Sequence, residues 1–93
     1  MTEGIEIMER RPKLIQGETY RMRSIGNDAE MQYLGEREDS HFFARDVLTI
    51  VKRKYMVIGD YQVNEQGVLF PLDLRFFSVP KLIEILKELG EQI

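Results

Sequence analysis

The side chains best suited to chemistry lie around His41, the only histidine of the chain. Asp39 and Asp46 are close to it in sequence, and Ser40 precedes it. A transition-metal site needs three or four ligands and usually more than one histidine or cysteine, whereas this chain has no cysteine. A catalytic triad brings its members together from separate segments, which sequence neighbours cannot do. The sequence therefore predicts neither a metal site nor a catalytic nucleophile here.

A second candidate for chemistry is the pair of carboxylates Asp60 and Asp73, which would have to face each other to share acid and base roles. If both belong to one β-hairpin closed at Gly67, Gly59 lies opposite Asp73 and Asp60 lies opposite Leu72, so the carboxylates leave opposite sides. The seven glycines are dispersed and form no phosphate-binding loop. We therefore predict that the protein is not an enzyme and needs no cofactor.

Basic side chains raise the question of phosphate binding. The densest basic run is residues 52–54, and Arg21 and Arg23 share one side of a predicted strand. If these two groups of basic side chains lie on one surface, they form a cationic strip for RNA or single-stranded DNA, with tyrosines as stacking partners. The opposing interpretation is a charged edge that prevents association between sheets, and the net charge of −3 also argues against nucleic acid. The residues of this alternative prediction are Arg21, Arg23, Lys52, Arg53 and Lys54.

The apolar residues exceed what one core layer of so short a chain can bury. Phe76 and Phe77 are adjacent, so one of them has to point away from the core of an extended segment. An exposed apolar patch indicates a protein partner or a second copy of the chain in a homodimer. The predicted contacts are Tyr55, Tyr61 and Phe77, with Lys52 and Lys54 at the rim. The alternative is a core on both faces of the sheet, which hides these side chains.

The clearest turn signal is the segment 64–67, Asn-Glu-Gln-Gly. Asparagine at its first and glycine at its fourth position are typical of a type I turn followed by a left-handed glycine. We therefore predict a two-stranded ribbon over residues 55–77. Its second strand is apolar at every second position, namely Val68, Phe70, Leu72, Leu74 and Phe76. On the first strand the apolar positions shift between Ile58 and Tyr61, which predicts a bulge at Gly59-Asp60.

Residues 47–58 allow two interpretations. Their apolar spacing fits a helix that Asp46 would cap, whereas their content of Val, Ile, Thr and Tyr favours a strand. We predict a strand with an irregularity near residues 52–54. Upstream, the pattern predicts three shorter strands and one polar loop. The strands cover 18–25, 30–34 and 41–45, and the loop covers 36–40.

The segment 79–89 carries the signals of one amphipathic helix. Ser78 is a good N-cap, Pro80 fits the first turn, and Gly90 is the expected stop. The apolar stripe consists of Leu82, Ile83, Leu86 and Leu89, with Ile85 at its margin. A helix this short is unstable alone, so we expect it to pack across the sheet.

Several short strands followed by one helix predict a mainly β fold, either a small antiparallel barrel or a bent sheet of about five to six strands with helix 79–89 packed across it. The succession Tyr20-Arg21-Met22, turn, Met31-Gln32-Tyr33-Leu34-Gly35, loop, His41-Phe42-Phe43 resembles the opening strands of an SH3-type barrel. We expect residues 1–93 to form a single domain. The lack of cysteine, of a signal-peptide pattern and of a long apolar stretch predicts a cytoplasmic protein without a membrane segment.

Overall fold

The computed structural model describes residues 13–23, 26–47 and 52–93. These residues form six strands and one helix. The elements are β1 (Thr19–Arg23), β2 (Asp28–Arg37), β3 (Ser40–Val47), β4 (Lys52–Ile58), β5 (Tyr61–Val63), β6 (Leu69–Pro71) and α1 (Val79–Glu88). The prediction of a mainly β fold with one helix after the strands is confirmed.

The strands form one mixed sheet in the order β4-β3-β2-β1-β6-β5. Neighbouring strands are antiparallel except for β1 and β6, which pair in parallel through Met22 and Leu69. This pair departs from the antiparallel arrangement that the sequence predicts. Although β4 and β5 lie at opposite edges, they are separated in sequence only by Gly59 and Asp60, so the sheet has to curl. Among the described residues no ladder joins β4 to β5, and the curled sheet is therefore not closed.

Apolar side chains are buried on both faces of the curled sheet. One cluster, which we call the inner core, consists of Met22, Met31, Tyr33, Phe43, Ile58, Tyr61 and Leu69. The other, which we call the helix-facing core, consists of Leu34, Phe42, Ala44, Val57, Ile85, Leu86 and Leu89. The alternative of a core on both faces is therefore confirmed for the described residues, but it does not hide Phe76, which is exposed. Because successive strand residues point to opposite sides, β2, β3 and β4 each contribute to both clusters.

The ribbon closed at Gly67 is confirmed in its predicted register, with Gln62 paired to Phe70. Gly67 has a left-handed φ of 83°, which glycine adopts without steric cost. Asn64 closes the turn, because its Oδ1 accepts a hydrogen bond from the Val68 N–H at 2.9 Å. Its carbonyl oxygen also accepts one from the Gly67 N–H at 3.0 Å.

The predicted switch of faces at Gly59-Asp60 is confirmed, but the predicted bulge is wrong. Ile58 and Tyr61 both reach the inner core, which strict alternation forbids. Ile58 pairs with Leu74 and Tyr61 with Pro71, so residues 59–60 lie opposite residues 72–73 and neither strand has an extra residue. Both strands change direction together at this point.

Gly59 leaves room for two side chains that lie across it at this bend. A Cβ atom there would collide with the side chains of Asp73 and Arg75, which form an ion pair with 3.0 Å between Nη2 and Oδ2. Arg75 Nη1 also donates to the carbonyl oxygen of Asp39 at 3.4 Å. The bend is therefore linked to the turn between β2 and β3.

The segment predicted as a polar loop over residues 36–40 is a tight hairpin turn. β2 continues to Arg37, which pairs with Ser40 at the start of β3. Only Glu38 and Asp39 lie in the turn, and both have a φ of 55°. These values are typical of a type I′ turn, whose twist matches that of the flanking strands. The loop prediction is wrong because Glu-Asp rarely adopts this conformation unless strand pairing imposes it.

The strand β4 pairs with β3 one residue to one residue from Lys52 to Ile58. The helical alternative is therefore wrong for residues 52–58, and the irregularity predicted near residues 52–54 is also wrong. Residues 48–51 of the predicted strand 47–58 lie outside the described residues, as do residues 24–25 of the predicted strand 18–25.

The helix α1 begins and ends as predicted. The Ser78 Oγ accepts a hydrogen bond from the Lys81 N–H at 3.4 Å, and Gly90 stops the helix with a φ of 97°. Ile85 is buried at 2% exposure and belongs to the helix-facing core. The prediction that Ile85 lies at the margin of the stripe is wrong, because the helix rests on the sheet through Ile85 and Leu86 together.

Candidate functional site

The aromatic residues predicted to contact a partner are at least half-buried. Tyr61 is only 7% exposed, and its ring packs edge-on against His41 with centroids 5.4 Å apart. The ring of Phe77 lies half-buried 5.7 Å from that of Phe42. Phe76 is 90% exposed. One of the two adjacent phenylalanines does point away from the core, and it is Phe76 rather than Phe77.

His41 lies between two tyrosines of the inner core. Its Nδ1 is 2.9 Å from the Tyr33 hydroxyl, and the ring of Tyr61 packs against it. Burial, with a smaller contribution from the charge of Glu36, raises the pKa of Tyr33 to about 12. The hydroxyl of Tyr33 therefore keeps its proton at neutral pH. Within the described ranges, no three His, Asp or Glu side chains are grouped to hold a metal ion.

Arg21 and Arg23, two of the residues predicted for nucleic-acid binding, lie on the outer side of β1, because Met22 between them faces the inner core. An Nη atom of Arg21 is 3.5 Å from a carboxylate oxygen of Glu30. Arg23 forms an ion pair with Asp28. Carboxylates on β2 therefore already compensate the positive charge of these two arginines.

The basic run on β4 is divided between the two faces of the sheet. Arg53 lies on the same side as Tyr55, which packs on the helix-facing core. Lys52 and Lys54 lie on the same side as Met56, which packs on the inner core. The five basic residues predicted to form one strip are thus not brought onto one face.

Arg53 is held by a network of hydrogen bonds. Its Nε donates to Glu91 Oε1 at 2.9 Å, its Nη1 to Asp46 Oδ1 at 3.0 Å and its Nη2 to Gln32 Oε1 at 2.6 Å. The Tyr55 hydroxyl donates to the same Glu91 oxygen at 3.0 Å. Burial lowers the pKa of Arg53, but the two carboxylates outweigh it and raise that pKa above its usual value. The network holds the chain after α1 against β4. Within it, two carboxylates compensate the positive charge of Arg53.

Three other basic residues form what we call the cation row, namely Arg45, Lys52 and Lys54. Arg45 lies directly opposite Lys54 in the β3–β4 register, and all three side chains are exposed. In the part of the chain that the structure describes, none of them forms an ion pair. Like charges directly opposite each other destabilise a sheet, and no described carboxylate compensates the row. Sequence analysis missed Arg45, because only the strand register places it beside Lys54.

Apolar side chains follow β6 at every second position and form what we call the apolar ridge. The ridge consists of Leu72, Leu74 and Phe76, which are 51%, 57% and 90% exposed. They continue the alternating row that begins at Val68, which is itself buried. The row leaves the core after Val68, because Phe70 is half-buried with the Arg23 guanidinium 4.9 Å from its ring centroid and the later members are exposed. An exposed apolar row with charges at its margin is typical of a contact surface.

A groove of about 260 Å³ lies between the apolar ridge and β4, and we call it the edge groove. Side chains from both faces of the sheet form its walls. They include Tyr55, Met56, Leu74, Phe76, Phe77 and Leu82. Tyr55 and Phe77, predicted as contacts, therefore lie in this groove, whereas Tyr61 does not.

The outer edge of β4 is paired only near its end. The Arg75 N–H donates to the Val57 carbonyl oxygen at 2.9 Å across this edge. Alternate residues of an antiparallel strand direct their backbone groups to the same side, so those of Tyr55 and Arg53 point outward as well. No backbone hydrogen bond between described residues reaches them from that side. As far as residues 13–23, 26–47 and 52–93 are concerned, the edge groove therefore contains an open strand edge.

Comparison of the chain with protein-family models, with curated proteins and with solved structures yields no match. In residues 13–23, 26–47 and 52–93, no helix has the length and apolar character needed to cross a membrane. The geometry of the edge groove, the cation row and the apolar ridge is therefore the basis for inferring a function.

Proposed function

We propose that the protein is a non-catalytic interaction module that binds another protein through the apolar ridge and the edge groove. The observation that carries the proposal is the 90% exposure of Phe76 beside the open edge of β4. Burying a side chain of this size in a partner contributes roughly 1.5–3 kcal/mol. Lys52 and Lys54 would lie at the rim of the contact, as charged residues usually do in protein interfaces.

Nucleic-acid binding receives less support from the arrangement of charges. Arg21, Arg23 and Arg53 have carboxylate partners, so contacts to phosphates would require these ion pairs to break. Lys52 and Lys54 remain available, but an affinity built on phosphate contacts rises with the number of phosphates neutralised. A protein partner uses both the cations and the apolar side chains of this surface.

Site-specific photo-crosslinking tests the proposal. A benzoylphenylalanine placed at position 76 is expected to yield a discrete adduct in the cells that normally produce the protein. The matched control is the same residue at position 93, because Ile93 is also exposed, at 58%. The adduct at position 76 is expected to disappear when Leu74→Ser is added. An adduct of twice the chain's mass identifies a second copy as the partner. Identical adduct patterns at the two positions would contradict the proposal.

A further inference from the structure

The open edge of β4 continues a strand ladder that is already present. Asp73 accepts a backbone hydrogen bond from Gly59 at 2.6 Å, and Arg75 donates one to Val57 at 2.9 Å. After Arg75 the chain leaves this edge, and Phe77 packs on Phe42 instead. The outward N–H and C=O groups of Arg53 and Tyr55 are the next positions of the same ladder. An added strand would therefore find its hydrogen-bonding groups already in place.

The two sides of this edge differ in chemistry. On the side of the inner core, Lys54 and Lys52 lie along the edge, with Arg45 directly behind Lys54. On the other side, Tyr55, Phe77 and Leu82 form one wall of the edge groove, whereas Met56 of the same groove lies on the side of Lys54. Side chains of an added strand alternate between the two sides. One set would meet the cation row and the other would meet apolar walls.

A second copy of this chain is a poor occupant of the same edge. Pairing two β4 edges would place Lys52, Arg53 and Lys54 of one copy beside the same residues of the other. Lysines on an edge strand are a common device against such pairing, and like charges across a ladder are destabilising. The charge of the edge therefore selects an acidic partner.

We propose that the occupant of the β4 edge is an extended segment of a partner protein in which acidic residues alternate with apolar ones. The segment adds to the sheet as a further strand beside β4, with its acidic side chains over the cation row and its apolar side chains in the edge groove. This mode of recognition takes affinity from the backbone and specificity from alternate side chains. The inference rests on the proposed function and names the partner's chemistry.

Labelled synthetic peptides test the added strand by fluorescence anisotropy with the full chain. The probe is a peptide of alternating glutamate and leucine of about six residues, the usual length of a strand. Two further peptides carry N-methyl groups on all the glutamates or on all the leucines. Because only alternate N–H groups of an added strand face β4, one methylated series should lose binding and the other should keep it. Equal tolerance of both, or no binding of the parent peptide, would overturn the inference.

Charge-reversed variants test the role of the cation row. Lys54→Glu is expected to weaken binding of the peptide about tenfold, and the variant should fold because its new carboxylate lies opposite Arg45. The matched control is Lys13→Glu, which changes the net charge equally at an exposed position outside the row. A peptide in which lysine replaces glutamate should bind neither form. Equal weakening of peptide binding by the two substitutions would contradict the assignment of the cation row as the site of the acidic side chains.

Crosslinking at position 76 and peptide binding together separate the inference from the proposed function. If crosslinks form at position 76 while the peptides fail, the protein is an interaction module with a different partner chemistry. If sedimentation shows a dimer that Phe76→Ser dissociates, a second copy occupies the surface and the inference of an acidic strand is overturned. If neither crosslinks nor peptide binding are found, both proposals are rejected.

Discussion

The interior of the curled sheet and the outer edge of β4 differ in how completely their groups find partners. In the interior, no buried side-chain nitrogen or oxygen of the described residues lacks a hydrogen-bond partner, and on the helix-facing side of β4 the half-buried Arg53 has two carboxylates. At the edge, the cation row has no ion pair within the described part of the chain, and Phe76 is 90% exposed. Because Arg53 and Lys54 are neighbours on one strand, the difference reflects position in the sheet rather than local composition. Exposed apolar side chains beside a row of cations on one edge indicate a surface for a partner.

The largest expected effect is on the free energy of unfolding, and it compares one phenylalanine of the interior, Phe42, with one at the edge, Phe76. Phe42→Ala should lower the free energy of unfolding by about 3–5 kcal/mol, because Phe42 is fully buried in the helix-facing core. Phe76→Ala should change it by less than about 0.5 kcal/mol, as is usual for exposed positions. Urea denaturation of the two variants measures both values. A loss of similar size at position 76 would show that the apolar ridge belongs to the core.

The second effect concerns pH and the inner core. The folded protein holds the Tyr33 proton more tightly than the unfolded chain, because burial and the charge of Glu36 raise the pKa of Tyr33 to about 12. The stabilisation is complete below pH ~10 and is lost as the pH rises towards the folded pKa, at about 1.4 kcal/mol per unit and about 2–3 kcal/mol in total. In the Tyr33→Phe variant, the free energy of unfolding should lack this contribution to its decrease with pH. Denaturation at several alkaline pH values measures it, and parallel profiles for the two proteins would refute the assignment.

A third, smaller effect tests the network that fastens α1 to β4. Glu91→Gln should lower the free energy of unfolding by about 1–2 kcal/mol, because it removes a charged hydrogen bond to the half-buried Arg53. Glu84→Gln on the exposed side of the helix makes the same chemical change and should cost less than about 0.5 kcal/mol. Denaturant titration compares the two. Equal losses would mean that the network contributes no more than a surface ion pair.

The smallest effect has the opposite sign. Lys54→Glu should raise the free energy of unfolding by about 0.2–1 kcal/mol, because it replaces a like-charge pair with Arg45 by an opposite-charge pair. The gain should shrink at high salt, since both groups are exposed. A gain in stability together with the expected loss of peptide binding would show that the cation row is kept for binding at the expense of stability. A loss of stability would argue that Lys54 has a structural role.

Some of the site could be predicted from the sequence, and some could not. The adjacency of Phe76 and Phe77 indicates that one of them is exposed, and the basic character of β4 is plain. Which phenylalanine points outward depends on the change of direction at Gly59, where both strands turn together. The pairing of Arg45 with Lys54 depends on the register of β3 and β4, which no local pattern of either segment encodes.

The sequence by itself determined the features that depend on neighbouring residues. The turn at Asn64 and Gly67 and the helix that begins at Ser78 both rest on hydrogen bonds within a few residues, so their residue types suffice to predict them. Tertiary structure alone decided the left-handed turn at Glu38 and Asp39, the cation row and the open edge of β4. These features depend on the pairing register of whole strands, and pairing energy outweighs local preference wherever the two disagree.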